Sequence, residues 1–226
     1  MATDIYGAIL QRDKKTYAIV PRTPVGLLKP DDLERIAGVA RKYEIPVIKI
    51  TSGQRIALVG IKPEDIDPAW QDLDMDAGKA TELCLHYVQA CPGTVACRYG
   101  VQDSLGLGMK IEKFFLGMDL PAKVKIGVSG CPFCCAESYV RDIGLFAKKN
   151  GWNLIIGGSS ARRPRIGDLI FEHLNEDEVI PLVRMILEYY SQKAKKNERM
   201  ARFVDRLGIE TVKDALVKKK ETVELI

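Results

Sequence analysis

The sequence lacks the features of exported or membrane proteins and the repeats of elongated folds. Its first stretch, MATDIYGAILQRDKKTYAIV, has neither the basic start nor the continuous apolar segment of a secretory signal. No segment approaches the roughly 18 consecutive apolar residues of a membrane-spanning helix. Internal repeats, low-complexity tracts and heptad patterns are also missing, which excludes solenoids and coiled coils. We therefore expect a cytoplasmic protein that does not enter a membrane.

The sequence also lacks a strong charge of one sign and the motifs of nucleotide-dependent redox enzymes. Its formal net charge of +4 is small and spread along the chain, so nucleic-acid binding is not indicated. It has no GxGxxG segment, no flavin signature and no second cysteine-rich ferredoxin motif. Redox chemistry in this chain would therefore require an external electron carrier.

A few basic residues gather near glycine and proline rather than on a solvated helix face. Together they predict a site for a compact anionic ligand, although each taken alone is more often an unrelated surface charge. They are Lys123, Lys125, Arg162, Arg163 and Arg165.

The order of apolar patterns predicts an α+β fold with two regions. In residues 1–76, a strand at AILQRDKKTYAIVP precedes a helix at PDDLERIAGVARKYE, strands at VIKIT and RIALVG, and a short helix at PEDIDPAWQDL. In residues 77–226, strands are predicted at CLHYVQA, KVKIGVSG and NLIIGG. Helices are predicted around DSLGLGMKIEKFF, from about Asp177 to Lys195, and in two closing segments. The stretch DMDAGKA marks the boundary.

The second region contains all six cysteines, and in a cytoplasmic protein such a group favours metal or redox chemistry over disulfides. Two pairs stand out, Cys91 with Cys97 and Cys131 with Cys135. The segment CPFCC is predicted to begin a helix, which would place Cys131 and Cys135 on one face, one turn apart. Four thiolates could bind zinc or an iron–sulfur cluster, and the gap in the first pair is wider than zinc sites usually show.

The other two cysteines are expected to be non-ligands. Cys84 lies in an apolar strand, where a buried, inert thiol is the common case. Cys134 would point about 100° away from Cys135 on a helix. Inert burial explains the two pairs less well, because the glycine and proline around each pair let the backbone come close to a bulky group.

These motifs together resemble one known family. CPGTVAC, followed after a helix by KVKIGVSGCPFCC, is similar to the Cys-x5-Cys and Cys-x3-Cys signature of the sulfite and nitrite reductases that contain sirohaem coupled to a 4Fe-4S cluster. GLLKPDDLERIAGVARKYEIPVIKITSGQRIALVGI resembles the family's ferredoxin-like half domain, GWNLIIGGSSARRPRIG its sirohaem-contacting segment, and ERMARFVDRLGIE its terminal helix. The resemblance spans nearly the whole chain and is closest to the small, single-module, assimilatory-type sulfite reductases of anaerobes.

The resemblance implies a fold and a set of cofactor-binding residues. Residues 1–76 would form the ferredoxin-like half domain, and residues 77–226 an α/β domain that binds the cluster and the sirohaem and ends in helices. Cys91, Cys97, Cys131 and Cys135 would be the cluster ligands, with Cys135 bridging to the sirohaem iron. Sirohaem carries many carboxylates, which suit arginine. The implied sirohaem contacts are Thr51, Gln54, Arg98, Gly157, Gly158, Arg162, Arg163 and Arg165.

The resemblance also implies a substrate site. Lys123 and Lys125 occupy alternate positions of one predicted strand, so both face the same side, and Arg55 in TSGQR matches a family arginine. His86 stands near the place where the family carries a second arginine. A histidine on a strand is more often an ordinary core or surface residue, but here it is also a candidate proton donor. Arg55, Lys123 and Lys125 would clamp a small oxyanion and deliver protons, with His86 as a further candidate donor.

Three functions from different classes remain open at this point. The favoured one is the six-electron reduction of sulfite to sulfide, with ammonia-forming nitrite reduction as an alternative. The others are a sirohaem and iron–sulfur electron-transfer protein without turnover, and a structural zinc protein. A reductase would receive electrons from a carrier such as ferredoxin or a flavodoxin-like protein, and would be a monomer or a homodimer.

Overall fold

Each half of the chain folds around its own β-sheet. The computed structural model describes residues 6–224, with side chains for residues 6–220. The chain divides into two units, Met1–Glu82 and Leu83–Ile226. This division and the boundary predicted between residues 76 and 77 both lie between a helix that ends at Leu73 and a strand that begins at Leu85.

The first unit contains a four-stranded antiparallel sheet and two helices. Its strands, in the spatial order β1-β2-β4-β3, are β1 (Ala8–Leu10), β2 (Tyr17–Ile19), β3 (Val47–Ile50) and β4 (Ile56–Ile61). Helices α1 (Pro30–Lys42) and α2 (Ile66–Leu73) pack their apolar faces into one core with this sheet. Ile19, Leu58 and Leu73 are fully buried there.

Local sequence signals explain why helix α1 begins and ends where it does. Pro30 occupies the first turn, where a missing N–H costs nothing, and the Asp32 carboxylate accepts the Lys29 N–H at 2.9 Å. Acidic residues lie in its first turn, and Arg41 and Lys42 lie in its last turn. This charge order complements the helix dipole.

The second unit contains a mixed five-stranded sheet whose strands lie side by side in sequence order. They are β5 (Leu85–Ala90), β6 (Val124–Ser129), β7 (Ile143–Lys148), β8 (Gly151–Ile156) and β9 (Asp168–Leu174). Strands β5, β6 and β7 are parallel, whereas β8 and β9 are antiparallel to their neighbours. The carboxyl ends of β5 and β6 therefore meet at one edge of the sheet.

Four helices complete the second unit: α3 (Ser104–Phe115), α4 (Glu176–Lys193), α5 (Met200–Leu207) and α6 (Ile209–Glu224). Helix α3 packs on β5 and β6, and α4 and α5 contact β8. The Asp103 carboxylate caps α3 by accepting the Gly106 N–H at 2.9 Å. Asn175 and Glu178 form a capping box at the start of α4. None of the helices among residues 6–224 has the length and apolar character that a membrane crossing requires.

The α+β architecture is confirmed, but three local predictions were wrong. AILQRDKKTYAIVP is a hairpin of two strands, because the Asp13 carboxylate accepts N–H groups from its neighbours and turns the chain. Strands β7 and β9 were not predicted. The helix expected at CPFCC is absent, because the chain turns there and Cys134 adopts a left-handed φ of 59°. Only a short 3₁₀ helix, Ser138–Val140, follows.

Two glycine substitutions test the packing of this short helix against the sheet. A Cβ atom at Gly144 in β7 would lie 2.1 Å from the Ser138 carbonyl oxygen. We expect Gly144→Ala to lower the free energy of unfolding by about 1–3 kcal/mol or more, because backbone must move. Gly38→Ala, in α1, meets no atom within 4 Å and should raise it by about 0.5–1 kcal/mol. Urea denaturation measures both; an undiminished stability for Gly144→Ala would contradict the packing.

Candidate functional site

Two cysteine loops meet at the edge where β5 and β6 end. Ala90 pairs with Val128 in the parallel register, and Cys91 and Cys131 follow these strands. The Cys91 N–H donates to the Val128 carbonyl at 3.2 Å, which continues the pairing by one residue. The two cysteine pairs, far apart in sequence, are thus brought together by strand pairing rather than by local chain geometry.

Hydrogen bonds fix Cys91 within this edge. Its Sγ accepts the Gly130 N–H at 3.1 Å and lies 3.4 Å from the Ser104 Oγ, which itself donates to the Cys91 carbonyl. The Gly130 carbonyl accepts the Val101 N–H at 2.8 Å, so the loop after Cys91 is held against the loop before Cys131. N–H donors to sulfur favour a thiolate and tune the potential of a bound iron–sulfur cluster.

The four predicted ligands interact electrostatically around Cys135. Partial burial raises the pKa of the Cys135 thiol, and the thiols of Cys91, Cys131, Cys97 and Cys134 raise it further. Cys91 and Cys131 are buried, Cys97 is half-buried and Cys135 is exposed. Within residues 6–224, no three His, Cys, Asp or Glu side chains are placed to hold a single metal ion. The ligands of a four-iron cluster bind different irons and need not converge on one point, so the donor set fits such a cluster.

The structure gives Cys134 and Cys84 other surroundings. Cys134 Sγ lies 3.3 Å from the Ser138 Oγ and accepts the Tyr139 N–H at 3.2 Å, which ties it to the 3₁₀ helix. Cys84 is 1% exposed and forms an isolated antiparallel bridge with Asp119. Both placements agree with a structural role, and the ligand assignment itself stays a prediction.

The glycines of the two loops approach one another. A Cβ atom at Gly130 would lie 2.7 Å from the Gly93 Cα, and one at Gly100 would lie 2.4 Å from the Gly93 carbonyl carbon. These glycines are therefore needed for backbone-to-backbone packing of the cysteine loops. A bulky ligand is not required to explain them, in contrast to the interpretation from the sequence.

One face of the sheet beside this edge carries basic and polar side chains. Lys125 pairs with Tyr87 in the register, and its Nζ lies 5.6 Å from the centre of the Tyr87 ring. Arg141 is 3% exposed; its guanidinium lies over the same ring, and one nitrogen donates to the Gln89 Oε1 at 2.8 Å and to Glu137. Two cationic groups, those of Lys125 and Arg141, therefore lie over the Tyr87 ring on this face of the sheet.

Lys125 is half-buried on this face of the sheet. Burial lowers the pKa of Lys125, and the nearby Arg199, Arg141 and Lys123 lower it further, while Asp142 opposes them. Lys123 lies just before β6 and is also half-buried. The side chains of the two predicted substrate lysines thus act on each other, as alternate positions on a strand allow.

Asp142 connects three elements of the second unit. Its carboxylate is buried and binds the Arg199 guanidinium, with Nη2 to Oδ2 at 2.7 Å and Nε to Oδ1 at 3.2 Å. Oδ2 also accepts the backbone N–H of Lys125 at 2.9 Å, and the Asp142 carbonyl accepts the Gly157 N–H at 2.8 Å. Burial raises the pKa of Asp142, and Arg199 works against that rise.

A cleft of about 910 Å³ opens beside this ion pair. Five arginines and two aspartates line it, so positive charge is in excess. Arg162, Arg163 and Arg202 form no hydrogen bond or ion pair with any described residue, which leaves their guanidinium groups available to anions. The charged residues lining the cleft are Asp142, Arg162, Arg163, Arg165, Arg199, Arg202 and Asp205.

Arg165 differs from its neighbours because its donors are already used. It donates to Asp168 at 2.6 Å, to Asp205 at 2.9 Å and to the Gly157 carbonyl at 3.0 Å. Gly158 packs against this chain's own backbone, since a Cβ atom there would lie 2.5 Å from the Arg141 carbonyl oxygen. The structure thus gives Arg165, Gly157 and Gly158 a role in shaping the cleft.

The remaining predicted residues of the first unit form one turn. Thr51 and Gln54 close the turn between β3 and β4, with the Gln54 N–H donating to the Thr51 carbonyl at 3.1 Å. The Thr51 hydroxyl accepts the Arg55 N–H at 3.2 Å, and Gln54 has a left-handed φ of 59°. The Arg55 guanidinium donates to the Lys79 carbonyl. A cofactor or substrate role for these residues stays a prediction.

His86 and Arg98 lie in different environments. His86 is 4% exposed and is the extra residue of a β-bulge, because Leu85 and Tyr87 pair with consecutive residues of β6. Bulges commonly redirect side chains near active sites. Arg98 is exposed and stacks on Tyr99 at 4.6 Å. Neither residue's predicted role is tested by these contacts.

Sequence reasoning missed three arginines of the second unit. Arg199 and Arg202 lie three positions apart at the start of α5, and Arg141 follows the 3₁₀ helix. The one available signal was ERMARF, in which both arginines fall on one helical face. Asp142, the partner of Arg199, and Gln89, one partner of Arg141, are distant in sequence, so no local pattern could have identified these two contacts.

The chain belongs to the nitrite and sulphite reductase family, a family of oxidoreductases. Residues 83–224 match the model described as the nitrite and sulphite reductase 4Fe-4S domain. Residues 9–76 match the nitrite/sulfite reductase ferredoxin-like half domain. The expected fold class is confirmed by both matches, and the domain limits 1–76 and 77–226 stay predictions.

One relative is the assimilatory-type sulfite reductase of Nitratidesulfovibrio vulgaris. The two sequences are 57% identical over 217 residues, and the alignment covers 96% of this chain and 100% of that protein. The chain is also 41% identical to the nitrite reductase [NAD(P)H] of Bacillus subtilis, covering 96% of this chain but 27% of that protein. The recognised resemblance to small assimilatory-type sulfite reductases is confirmed.

Solved structures share the fold at low identity. The crystal structure of dissimilatory sulfite reductase I superposes with a TM-score of 0.78 at 14% identity, covering 89% of this chain and 69% of that chain. The structure of the Mycobacterium tuberculosis NirA protein gives 0.77 at 18% identity, covering 90% of this chain and 40% of that chain.

Proposed function

We propose that this protein reduces sulfite to sulfide. The observation that carries the proposal is the meeting of the two cysteine loops at the carboxyl ends of β5 and β6, together with a half-buried Lys125 on β6 of the same sheet. High identity to an assimilatory-type sulfite reductase supports the same substrate. Hydrogen sulfite would take up six electrons and six protons, and hydrosulfide and three water molecules would leave.

The cofactors in this proposal are a 4Fe-4S cluster and sirohaem. Cys91, Cys97, Cys131 and Cys135 would hold the cluster, with Cys135 bridging to the sirohaem iron, and the exposure of Cys135 suits such a bridge. When bound, the two cofactors would supply the electrons for the reduction. The free guanidinium groups of the cleft would bind sirohaem carboxylates, with Arg162 and Arg163 as the first candidates.

The role of this chain's own basic residues is to bind and neutralise a small oxyanion. Lys125 has a half-buried ammonium group with no acceptor among the described residues, and such a donor stabilises negative charge strongly in a water-poor site. Its lowered pKa also makes it a better proton donor. Lys123 would act beside it. Arg55 and His86 stay candidates for the same chemistry.

The proposal includes an external electron carrier, such as a ferredoxin or a flavodoxin-like protein, and a cytoplasmic location. Both stay predictions, as does the choice between a monomer and a homodimer. The half-buried Cys97 would give a carrier a short route to the cluster.

An anaerobic absorption spectrum tests the proposal directly. Purified protein should show sirohaem bands that shift when sulfite is added, and a reduced viologen dye should be oxidised while sulfide is released. A colourless protein with stoichiometric zinc would exclude a reductase. Sirohaem bands that respond to neither sulfite nor nitrite would instead indicate an electron-transfer protein.

Nitrite reduction to ammonia is the second candidate. It is favoured by the 41% identity to a nitrite reductase and by the similarity of the two small anions. The ratio of kcat/KM for sulfite and nitrite, measured with the same dye, decides between them; a higher value for nitrite would replace the first proposal.

A further inference from the structure

Arg199 and the Lys125 backbone saturate the buried Asp142 carboxylate, the acidic group that acts on the pKa of Lys125. Two Arg199 nitrogens donate to Oδ1 of Asp142, at 2.9 and 3.2 Å, and one also donates to Oδ2 at 2.7 Å. The backbone N–H of Lys125 donates to Oδ2 at 2.9 Å. A carboxylate offers about four acceptor sites, so none remains for an ammonium group.

The Lys125 side chain is accordingly left without an ionic partner. Its backbone is hydrogen-bonded to Asp142, yet its Nζ forms no hydrogen bond or ion pair with any described residue and lies over the Tyr87 ring. A half-buried lysine beside a buried carboxylate would ordinarily pair with it. The fork of Arg199 prevents that pairing, because a planar guanidinium binds both carboxylate oxygens at once.

The charged groups that act on the pKa of Lys125 come from three segments of the chain. Arg199 faces Lys125 from the start of α5, Arg141 and Asp142 from the segment before β7, and Lys123 from its own chain segment. Tyr87 faces it from β5. Asp142 is the one carboxylate among these residues. Whether its oxygens are already hydrogen-bonded to Arg199 therefore decides whether the Lys125 ammonium stays unpaired.

We propose that Arg199 is a positioning residue for Lys125: by occupying Asp142, it keeps the Lys125 ammonium free to bind an anion. The inference rests on the proposed role of Lys125 at the oxyanion. Arg199 does not touch the substrate in this account. Through Asp142, it connects the arginine-lined cleft, which it borders, to the strand that carries Lys125.

A double-mutant cycle on the holoprotein tests the inference. The four proteins are the wild type, Arg199→Gln, Asp142→Asn and the double variant. Competitive labelling with acetic anhydride across a pH series, read by peptide mass spectrometry, gives the titration midpoint of Lys125 without turnover. We expect Arg199→Gln to raise this midpoint, and to raise it far less in the Asp142→Asn background, because only the carboxylate can capture Lys125.

The cycle separates capture from simple loss of a positive charge. Equal rises in both backgrounds would overturn the inference, since the loss of Arg199's charge acts alike in each. If Arg199→Gln does not fold, Arg199→Lys replaces it, because lysine keeps the positive charge but lacks the planar guanidinium. We again expect the titration midpoint of Lys125 to rise, and to rise only when Asp142 is present. An unchanged midpoint would overturn the inference. In turnover, kcat/KM for sulfite should fall about 10- to 100-fold in Arg199→Gln. Failure of sulfite reduction in the wild type would leave the labelling result intact.

Discussion

Replacing Cys135 with serine is expected to abolish sulfite reduction and to remove the coupled cofactor spectrum. Cys135 is the most exposed of the six thiols. The thiols of the other three predicted ligands are close enough to raise its pKa. A serine oxygen is a poor ligand for the soft irons of a cluster. Activity should therefore fall to the background of the viologen assay, and iron and acid-labile sulfide content should fall with it.

The adjacent cysteine provides a matched control. Cys134 is engaged by the Ser138 hydroxyl and the Tyr139 N–H, and a serine hydroxyl can form both hydrogen bonds. Cys134→Ser should thus retain the cofactors and close to wild-type activity. Loss of the cluster in Cys134→Ser, together with its retention in Cys135→Ser, would exchange the two assignments.

Replacing Lys125 with methionine is expected to reduce kcat/KM for sulfite by about 10²–10³-fold, the usual cost of removing one preorganised donor to developing negative charge. Methionine keeps much of the apolar stem and the packing on Tyr87, so the cofactor spectrum should remain. Steady-state kinetics with the reduced dye measures the loss. An unchanged kcat/KM would remove Lys125 from the proposed site.

The pH dependence gives a second signature of Lys125. Burial lowers its pKa, so its charge is lost at a lower pH than that of an ordinary lysine, and wild-type activity should decline as the pH rises through this lowered value. Lys125→Met should lack that decline. Lys148→Met is the matched control, because Lys148 is also a partly exposed lysine of the sheet, held only by an ion pair with Glu172 at 3.5 Å. It should change neither the rate nor the profile.

The sequence indicated the protein family more reliably than it indicated the local backbone geometry. Spacing and composition singled out the two cysteine pairs, and the family resemblance supplied their role. The helix expected at CPFCC failed because Cys134 takes a left-handed conformation, which sequence spacing does not reveal. Strand β7 was missed because its short apolar run, IGLFAK, adopts a strand through pairing with β6 and β8 on either side.

Interactions between distant residues were beyond local patterns. Arg199 and Asp142 are separated by 57 residues, and nothing near either residue indicates the other. The arginine loop at residues 162–165 was visible in the sequence as a basic segment, yet only the fold separates Arg165, whose donors are used, from Arg162 and Arg163. Availability of a side chain is a property of packing rather than of residue type.

The parallel pairing of β5 with β6 also constrains how the protein matures. Gly130 and Cys91 lie 39 residues apart, and their loops become neighbours only when the two strands have paired across the intervening helix α3. Such non-local pairing forms slowly compared with local turns. In the unfolded chain the thiols are thus scattered, so insertion of the proposed cluster would have to accompany or follow assembly of this sheet. If the protein holds that cluster, the yield of cofactor-loaded protein should depend on the folding rate as much as on the supply of iron and sulfide.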